Sequence, residues 1–228
     1  MDITLHYIEE GTGTPLLLLH GNGEDGTYFK HQLAYFSKKY RVIAVDTRGH
    51  GQAPRGAASF TISQFAEDLN AFLEQRDISK AVILGFSDGA NIAMRFAMKH
   101  PEKVEALILN GGNLNARGVK ASVQIPIELG YRMTKLFSRI SEKARKNHEM
   151  LALMVDDPNI EPSELKEIHV PTLVIAGTED MIKEEHTKLL AAEIPGAELK
   201  FVKGGHFVAA KASEEFNAAV DLFLERVL

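Results

Sequence analysis

The chain has 228 residues and a formal net charge of −5; 45% of its residues are hydrophobic and 25% are charged, which is typical of one globular domain with room for an insertion. It has no cysteine, which excludes disulfides, thiolate chemistry and zinc sites built on cysteine. Because the balance is acidic and no basic tract or basic helix face stands out, neither nucleic acid nor an anionic membrane is predicted as a partner.

The first predicted element is an edge strand over residues 3–10, in which apolar and polar side chains alternate. The start of the chain lacks the basic residues and the apolar run of a secretory signal. No apolar stretch approaches the about 18 residues that a membrane-spanning helix needs. We therefore expect a cytoplasmic protein.

Continuous apolar runs of strand length follow, and they alternate with amphipathic stretches of helix length. The strand runs lie at residues 15–20, 41–46, 80–86, 105–111, 171–177 and 198–204. Helices are predicted over residues 61–75, 90–99, 181–192 and 213–227, the first of them opened by a capping box from Thr61 to Gln64. This alternation predicts an α/β fold in which a mostly parallel central sheet carries helices on both faces.

One stretch, residues 113–169, interrupts the alternation because it contains no strand run. Two helical patterns fill much of it, at residues 125–140 and 141–155. We therefore predict a core made of residues 1–112 and 170–228, and a small helical lid over the edge of the sheet where the strands end.

The predicted lid has an apolar face formed by Leu129, Met133, Leu136, Phe137 and Ile140. Most of these side chains are expected to pack against neighbouring elements. A few should face the cleft, and Met133 and Phe137 are the candidates for substrate contact.

The sequence GFSDG, residues 85–89, joins a predicted buried strand to a predicted helix. A serine hydroxyl becomes an effective nucleophile when a base takes its proton and backbone N–H groups face the oxygen that will carry negative charge. A tight turn between strand and helix exposes Ser87 and leaves the N–H of Asp88 free at the helix N-terminus. We predict Ser87 as the nucleophile; the alternative is a serine that only caps the helix.

His206 and Asp180 are the predicted partners of Ser87. Each follows a strand of the predicted parallel sheet, so all three lie at the same edge, and the two glycines before His206 let its loop bend inward. His206 is predicted as the base and Asp180 as the acid that orients its imidazole. A role of Asp180 as a simple helix cap stays open, and the alternative acids are Glu179, Asp156 and Asp157.

The loop after the second predicted strand reads HGNGEDG. Its glycines allow the backbone to approach a substrate closely. The backbone N–H of Asn22 is therefore predicted as the second oxyanion donor, beside that of Asp88. His20 is expected to brace this loop by hydrogen bonding rather than to act as a base.

Five motifs, in this order, resemble the α/β-hydrolase fold superfamily over essentially the whole chain. They are HGNG (20–23), DTRGHG (46–51), GFSDG (85–89), LVIAGTED (173–180) and GGHF (204–207). The order Ser, Asp, His also belongs to that superfamily. The resemblance implies structural roles for Asp46 and Arg48. It also implies a small, capped, carboxylesterase-like serine hydrolase that cleaves esters, lactones or thioesters.

Such a hydrolase requires no metal and no organic cofactor, and its expected partner is a small-molecule ester; the protein would act as a monomer or a homodimer. Asp88 resembles the residue after the nucleophile in amino-acid ester hydrolases of the valacyclovir-hydrolase type, where its carboxylate would bind a substrate ammonium group. The alternative is an acid favoured there by the helix dipole. Two other functions stay open: a perhydrolase, cofactor-free haloperoxidase or carbon–carbon bond hydrolase using the same site, and a ligand receptor without catalysis.

Overall fold

A computed structural model describes residues 2–228 and has a seven-stranded sheet at its centre. The strands are β1 (Tyr7–Glu10), β2 (Pro15–Leu19), β3 (Arg41–Val45), β4 (Ala81–Phe86), β5 (Val104–Asn110), β6 (Thr172–Gly177) and β7 (Glu198–Val202). Their order in the sheet is β1-β3-β2-β4-β5-β6-β7, and β1 alone runs antiparallel to its neighbour. The predicted mostly parallel sheet is confirmed.

Helices cover both faces of this sheet. They are α1 (Lys30–Phe36), α2 (Ile62–Gln75), α3 (Asp88–Lys99), α4 (Ala121–Phe137), α5 (Glu142–Val155), α6 (Glu184–Glu193), α7 (Val208–Lys211) and α8 (Ser213–Val227). One face packs against α2, α3 and α6, and the other packs against α1, α7 and α8. Every residue of β4 and β6 is buried, which explains why these strands read as continuous apolar runs. Within residues 2–228 no helix combines the length and the apolarity that crossing a bilayer requires.

The helices α4 and α5 form a helical hairpin, residues 121–155, in the stretch predicted as a lid. α4 packs mainly against α5. The first of these helices is predicted to begin at residue 125, just before Pro126, whereas the observed helix begins at Ala121. The difference arises because the carbonyl of Lys120 accepts a hydrogen bond from the N–H of Val123, which closes a helical turn ahead of the proline.

Other predicted boundaries also differ from the observed ones. Only residues 7–10 of the predicted strand 3–10 pair with β3. The helix predicted from residue 181 begins at Glu184, because Ile182 first bridges to Val119 and donates its N–H to the Asp180 carboxylate. α1 was not predicted, since its seven residues are too few to display a clear helical period.

A buried ion pair holds the loop after β3. Arg48 has no exposed surface, and its guanidinium donates to both carboxylate oxygens of Asp68, at 2.6 and 2.7 Å. It also reaches Asp2 at 2.6 Å. Asp46 accepts from the backbone N–H groups of Gly26 and residue 52 in the same region. These contacts are structural, as the resemblance implied for Asp46 and Arg48.

Candidate active site

Ser87 forms the corner between β4 and α3. Its backbone has φ 53° and ψ −118°, in the region of positive φ that residues with a side chain rarely adopt. Hydrogen bonds fix this corner from both sides: the N–H of Ser87 donates to the Asn110 carbonyl at 2.8 Å, and its carbonyl accepts from the N–H of Ala90 at 2.9 Å. The strain is therefore held by the sheet on one side and by the helix on the other.

Glycine is required on both sides of Ser87 because strand and helix crowd together there. A Cβ atom on Gly85 would lie 2.2 Å from the Gly89 carbonyl oxygen. A Cβ atom on Gly89 would lie 1.9 Å from the Leu19 carbonyl oxygen. Both distances are far shorter than the about 3.5 Å of a non-bonded carbon contact, so the two glycines of GFSDG follow from packing.

The side chains of Ser87, His206 and Asp180 form one chain of hydrogen bonds. Ser87 Oγ lies 3.0 Å from His206 Nε2, and His206 Nδ1 lies 2.7 Å from Asp180 Oδ1. The imidazole and the carboxylate are buried, whereas Ser87 keeps some exposure. Because a carboxylate only accepts, Nδ1 carries the proton and Nε2 is free to accept from the serine hydroxyl. We refer to these three residues as the relay.

The acids that the sequence left as alternatives lie elsewhere. Glu179 is exposed. Asp156 accepts from the Tyr131 hydroxyl at 2.7 Å, and Asp157 accepts from the N–H of Ile62 at 3.3 Å. Among these candidates, Asp180 is the one that contacts the imidazole of the relay.

The two predicted oxyanion donors flank Ser87. Within residues 2–228, neither the N–H of Asn22 nor that of Asp88 donates to a protein acceptor. The loop that carries Asn22 lies directly against the nucleophile, since a Cβ atom on Gly21 would be 3.1 Å from Ser87 Cβ. Two free N–H groups beside a serine hydroxyl are able to stabilise negative charge on a substrate oxygen.

His20 braces this loop, and the ring of His50 packs against that of His20 with centroids 5.1 Å apart. His20 Nδ1 donates to the Gly21 carbonyl at 2.8 Å, and its Nε2 accepts from the N–H of Thr47 at 3.0 Å. Burial lowers the pKa of His20, and burial lowers that of His50 to about 4. Both rings are therefore neutral near pH 7, and the bracing contacts of His20 match the role expected for it.

The carboxylate of Asp88, the residue after the nucleophile, is buried and accepts hydrogen bonds from two side-chain amides. Its oxygens accept from Asn22 Nδ2 at 3.0 Å and from Asn91 Nδ2 at 3.2 Å. Burial nevertheless raises the pKa of Asp88 to about 6, although the two amide hydrogen bonds act to lower it. Each carboxylate oxygen accepts one of these bonds and keeps further acceptor capacity. Asp88 is 7% exposed, and the ammonium contact expected from the sequence stays a prediction.

The side chain of Asn22 also connects the oxyanion loop to the helical hairpin. Its Nδ2 donates to the carbonyl of Met150 in α5 at 2.8 Å. A second link holds the hairpin nearby, where Arg55, in the loop between β3 and α2, makes a two-pronged ion pair with Glu149 at 2.9 and 3.1 Å. These contacts hold α5 beside the oxyanion loop. No local sequence motif predicts them.

Met133 and Phe137, predicted to contact substrate, are not brought to the relay. They are 62% and 51% exposed and line an open apolar groove of about 440 Å³ on the hairpin, together with Ile140 and Lys143. The groove includes no residue of the relay. The physical reason is that α5 occupies the inner side of α4, so this apolar face turns outward.

Two polar side chains near the relay, those of Tyr28 and Glu24, were not predicted from the sequence. Tyr28 stacks on Phe86 with ring centroids 4.5 Å apart, and Phe86 lies 4.8 Å from the His206 ring. The hydroxyl of Tyr28 and one carboxylate oxygen of Glu24 are buried without a partner within residues 2–228, and burial raises the pKa of both groups. The one available signal was the position of Glu24 in HGNGED.

Comparisons with known proteins agree with the observed fold. A family model described as alpha/beta hydrolase fold matches residues 14–128. An uncharacterised protein of Mycobacterium tuberculosis is 34% identical over 119 residues, and this match spans 52% of the chain but only 34% of that relative. A 2-hydroxy-6-oxononadienedioate/2-hydroxy-6-oxononatrienedioate hydrolase of Burkholderia vietnamiensis is 29% identical over 99% of this chain and 92% of its own length. The solved structure of Est816, described as an N-acyl homoserine lactone degrading enzyme, is 26% identical, covers 97% of each chain and has a TM-score of 0.80.

Proposed function

The chain belongs to the α/β-hydrolase family, and from this premise we propose that it is a serine hydrolase that cleaves small carboxylic esters, lactones or thioesters through an acyl-enzyme. The observation that carries the proposal is the relay itself, with 3.0 Å from Ser87 Oγ to His206 Nε2 and 2.7 Å from His206 Nδ1 to Asp180 Oδ1. These distances allow a proton to pass from the hydroxyl to the imidazole without a rearrangement of the site.

The proposed reaction has two acyl-transfer steps. His206 Nε2 takes the proton of Ser87 as Oγ attacks the carbonyl carbon, and Asp180 stabilises the imidazolium that forms. The N–H groups of Asn22 and Asp88 stabilise the oxyanion. His206 then gives its proton to the leaving oxygen or sulfur, and the acyl group remains on Ser87. A water molecule that His206 deprotonates releases the acid and restores the serine.

Two relatives support different substrates for this site. The likeness to Est816, whose description names a lactone substrate, supports ester and lactone hydrolysis. The likeness to the dienedioate hydrolase of Burkholderia vietnamiensis, which extends over almost the whole chain, favours a second candidate, hydrolysis of a carbon–carbon bond at the same serine. Rates on a lactone and on a 2-hydroxy-6-oxo-dienedioate, measured side by side with the same preparation, separate the two.

Hydrolysis of p-nitrophenyl acetate and butyrate tests the proposed roles of the relay. Ser87→Ala and His206→Ala should each lower kcat by about 10⁴-fold or more, because nucleophile and base act as a unit. His31→Ala removes an exposed histidine outside the relay and serves as the matched control, which should keep wild-type turnover. Full turnover by the folded Ser87→Ala variant would refute the assignment.

Labelling by a fluorophosphonate separates an enzyme from a receptor. The wild-type chain should be labelled at Ser87, and Ser87→Ala should remain unlabelled, since the reagent reacts with an activated serine. A wild-type chain that takes no label and turns over no ester or lactone would favour a receptor. Oxidation that requires hydrogen peroxide and a carboxylic acid would instead favour a perhydrolase.

A further inference from the structure

The outer helix of the helical hairpin carries apolar side chains that the fold leaves uncovered. They are Ile125, Leu129, Met133, Leu136, Phe137 and Ile140, and each is between 51% and 81% exposed. At about 100° per residue, these positions fall on one side of α4 and of the turn that follows it. We call this surface the apolar stripe. A contiguous apolar surface of this kind marks an interaction site, whereas singly scattered apolar residues do not.

Basic side chains lie on both flanks of the apolar stripe. Arg132, Lys135 and Arg139 directly precede three residues of the stripe in the sequence, which places them along one flank. Lys143 lies on the other flank, where it lines the groove beside Ile140. In the described part of the chain, none of these four has a carboxylate within salt-bridge distance, whereas the ion pairs of α5 are formed by other basic residues.

The charge of the chain is divided unevenly between the hairpin region and the remainder. The hairpin, residues 121–155, contains six of the 26 lysine and arginine residues and three of the 31 acidic residues, a net charge of +3. The remainder has 20 basic and 28 acidic residues, a net charge of −8. The expectation that an anionic membrane is no partner rested on the net charge of −5 and on the absence of an evident basic tract or helix face. The net charge hides this division, and the basic residues of α4 are interleaved with apolar ones.

We propose that the apolar stripe and its basic flanks dock on the surface of an anionic phospholipid bilayer. The apolar side chains would enter the boundary of the acyl chains, and the lysine and arginine side chains would reach up to the phosphate groups. A second copy of the chain fits this surface less well, because a two-fold interface would set the same unpaired basic residues against themselves.

The docked surface lies next to the candidate active site through α5. Asn22 binds the Met150 carbonyl on that helix, and Arg55 pairs with Glu149 one residue earlier. A bilayer bound to α4 would therefore contact the same hairpin whose second helix, α5, is hydrogen-bonded to the oxyanion loop. This interaction goes beyond the proposed ester chemistry and does not depend on it.

Co-sedimentation of the full chain with vesicles tests the proposal. The wild-type chain should bind mixed vesicles that contain phosphatidylcholine and phosphatidylglycerol in a 1:1 ratio. It should bind vesicles of pure phosphatidylcholine far less, and its affinity for the mixed vesicles should fall as the salt concentration is raised. Arg139→Glu and Lys143→Glu should each weaken the partitioning by about fivefold or more, the usual contribution of one basic residue near an anionic membrane. The double variant Leu136→Ser with Ile140→Ser should abolish binding.

Two matched variants control for general effects of the substitutions. Leu222→Ser removes an apolar side chain that is 58% exposed on α8, and Lys200→Glu reverses an exposed charge on β7. Both should bind like wild type. Absence of wild-type binding to the mixed vesicles would overturn the proposal, as would equal losses in the control variants. A wild-type dimer that the double variant dissociates, without vesicle binding, would also overturn it and identify a second copy as the occupant.

Discussion

Replacing Asp88 by asparagine removes a carboxyl group that the fold buries beside the nucleophile. Burial raises the pKa of this group from 3.8 to about 6, although Asn22 and Asn91 both donate to it. Asparagine has nearly the same shape and does not titrate. A comparison of wild type and Asp88→Asn across pH therefore isolates the contribution of one proton to the free energy of unfolding.

The sign follows from which state holds the proton more tightly. Because the pKa of Asp88 is higher in the folded state, the folded chain binds this proton more strongly, and the stability it contributes is complete below pH 3.8 and is lost as pH rises through about 6. At about 1.4 kcal/mol per pKa unit, the whole effect is about 3 kcal/mol, of which about 2 kcal/mol falls between about pH 4 and about pH 7.5. The stability difference, wild type minus variant, should fall by that amount over this interval.

Urea unfolding followed by circular dichroism at a series of pH values measures this difference. Glu10→Gln, which neutralises an exposed carboxylate at the end of β1, provides the baseline for the loss of one acidic side chain. The constant part of the difference between wild type and Asp88→Asn reports the altered hydrogen bonds to Asn22 and Asn91, and only the slope reports the proton. A difference that stays constant from about pH 4 to about pH 7.5 would refute the reasoning from burial.

Three other substitutions test separate parts of the structure. Asp180→Asn should lower kcat on a p-nitrophenyl ester by about 10⁴-fold with little change in stability, because an amide does not hold the required tautomer of His206; a kcat near that of wild type would exclude this role. Arg48→Met leaves the Asp68 carboxylate buried without its partner and should cost about 3–5 kcal/mol in urea unfolding; a loss within error of zero would contradict the structural role of the pair. Gly89→Ala forces a methyl group against a carbonyl oxygen of β2 and should lower stability by about 1–3 kcal/mol, so an unchanged Tm would contradict the packing at the corner.

The sheet and the three relay positions could be predicted because each depends on a local pattern. Ser87, Asp180 and His206 each follow a strand, and in a parallel sheet the ends of those strands meet at one edge. The sequence favoured Asp180 but left Glu179, one position away, as an alternative, and the contact of Asp180 with His206 separates the two. Each of these predictions requires only a short stretch of sequence and the rule that parallel strands end at one edge.

Side-chain contacts that follow neither from a strand end nor from a local motif could not be predicted in this way. Nothing near Asn22 indicates that its side chain meets the Met150 carbonyl, 128 residues later. The periodicity of α4 marked its apolar face correctly but not the direction in which that face points. That direction depends on α5 occupying the inner side, and so Met133 and Phe137 were assigned to the substrate although the structure turns them outward.

Stability and catalysis favour different residues at position 87, where the backbone has a positive φ. A non-glycine residue held at φ 53° costs about 1–3 kcal/mol, and glycine would adopt the same corner without that strain. The substitution that relaxes the turn would thus also delete the reactive oxygen. Selection of variants for thermal resistance alone would therefore favour glycine at residue 87 and hence an inactive protein. Only a simultaneous selection for turnover would keep the serine there.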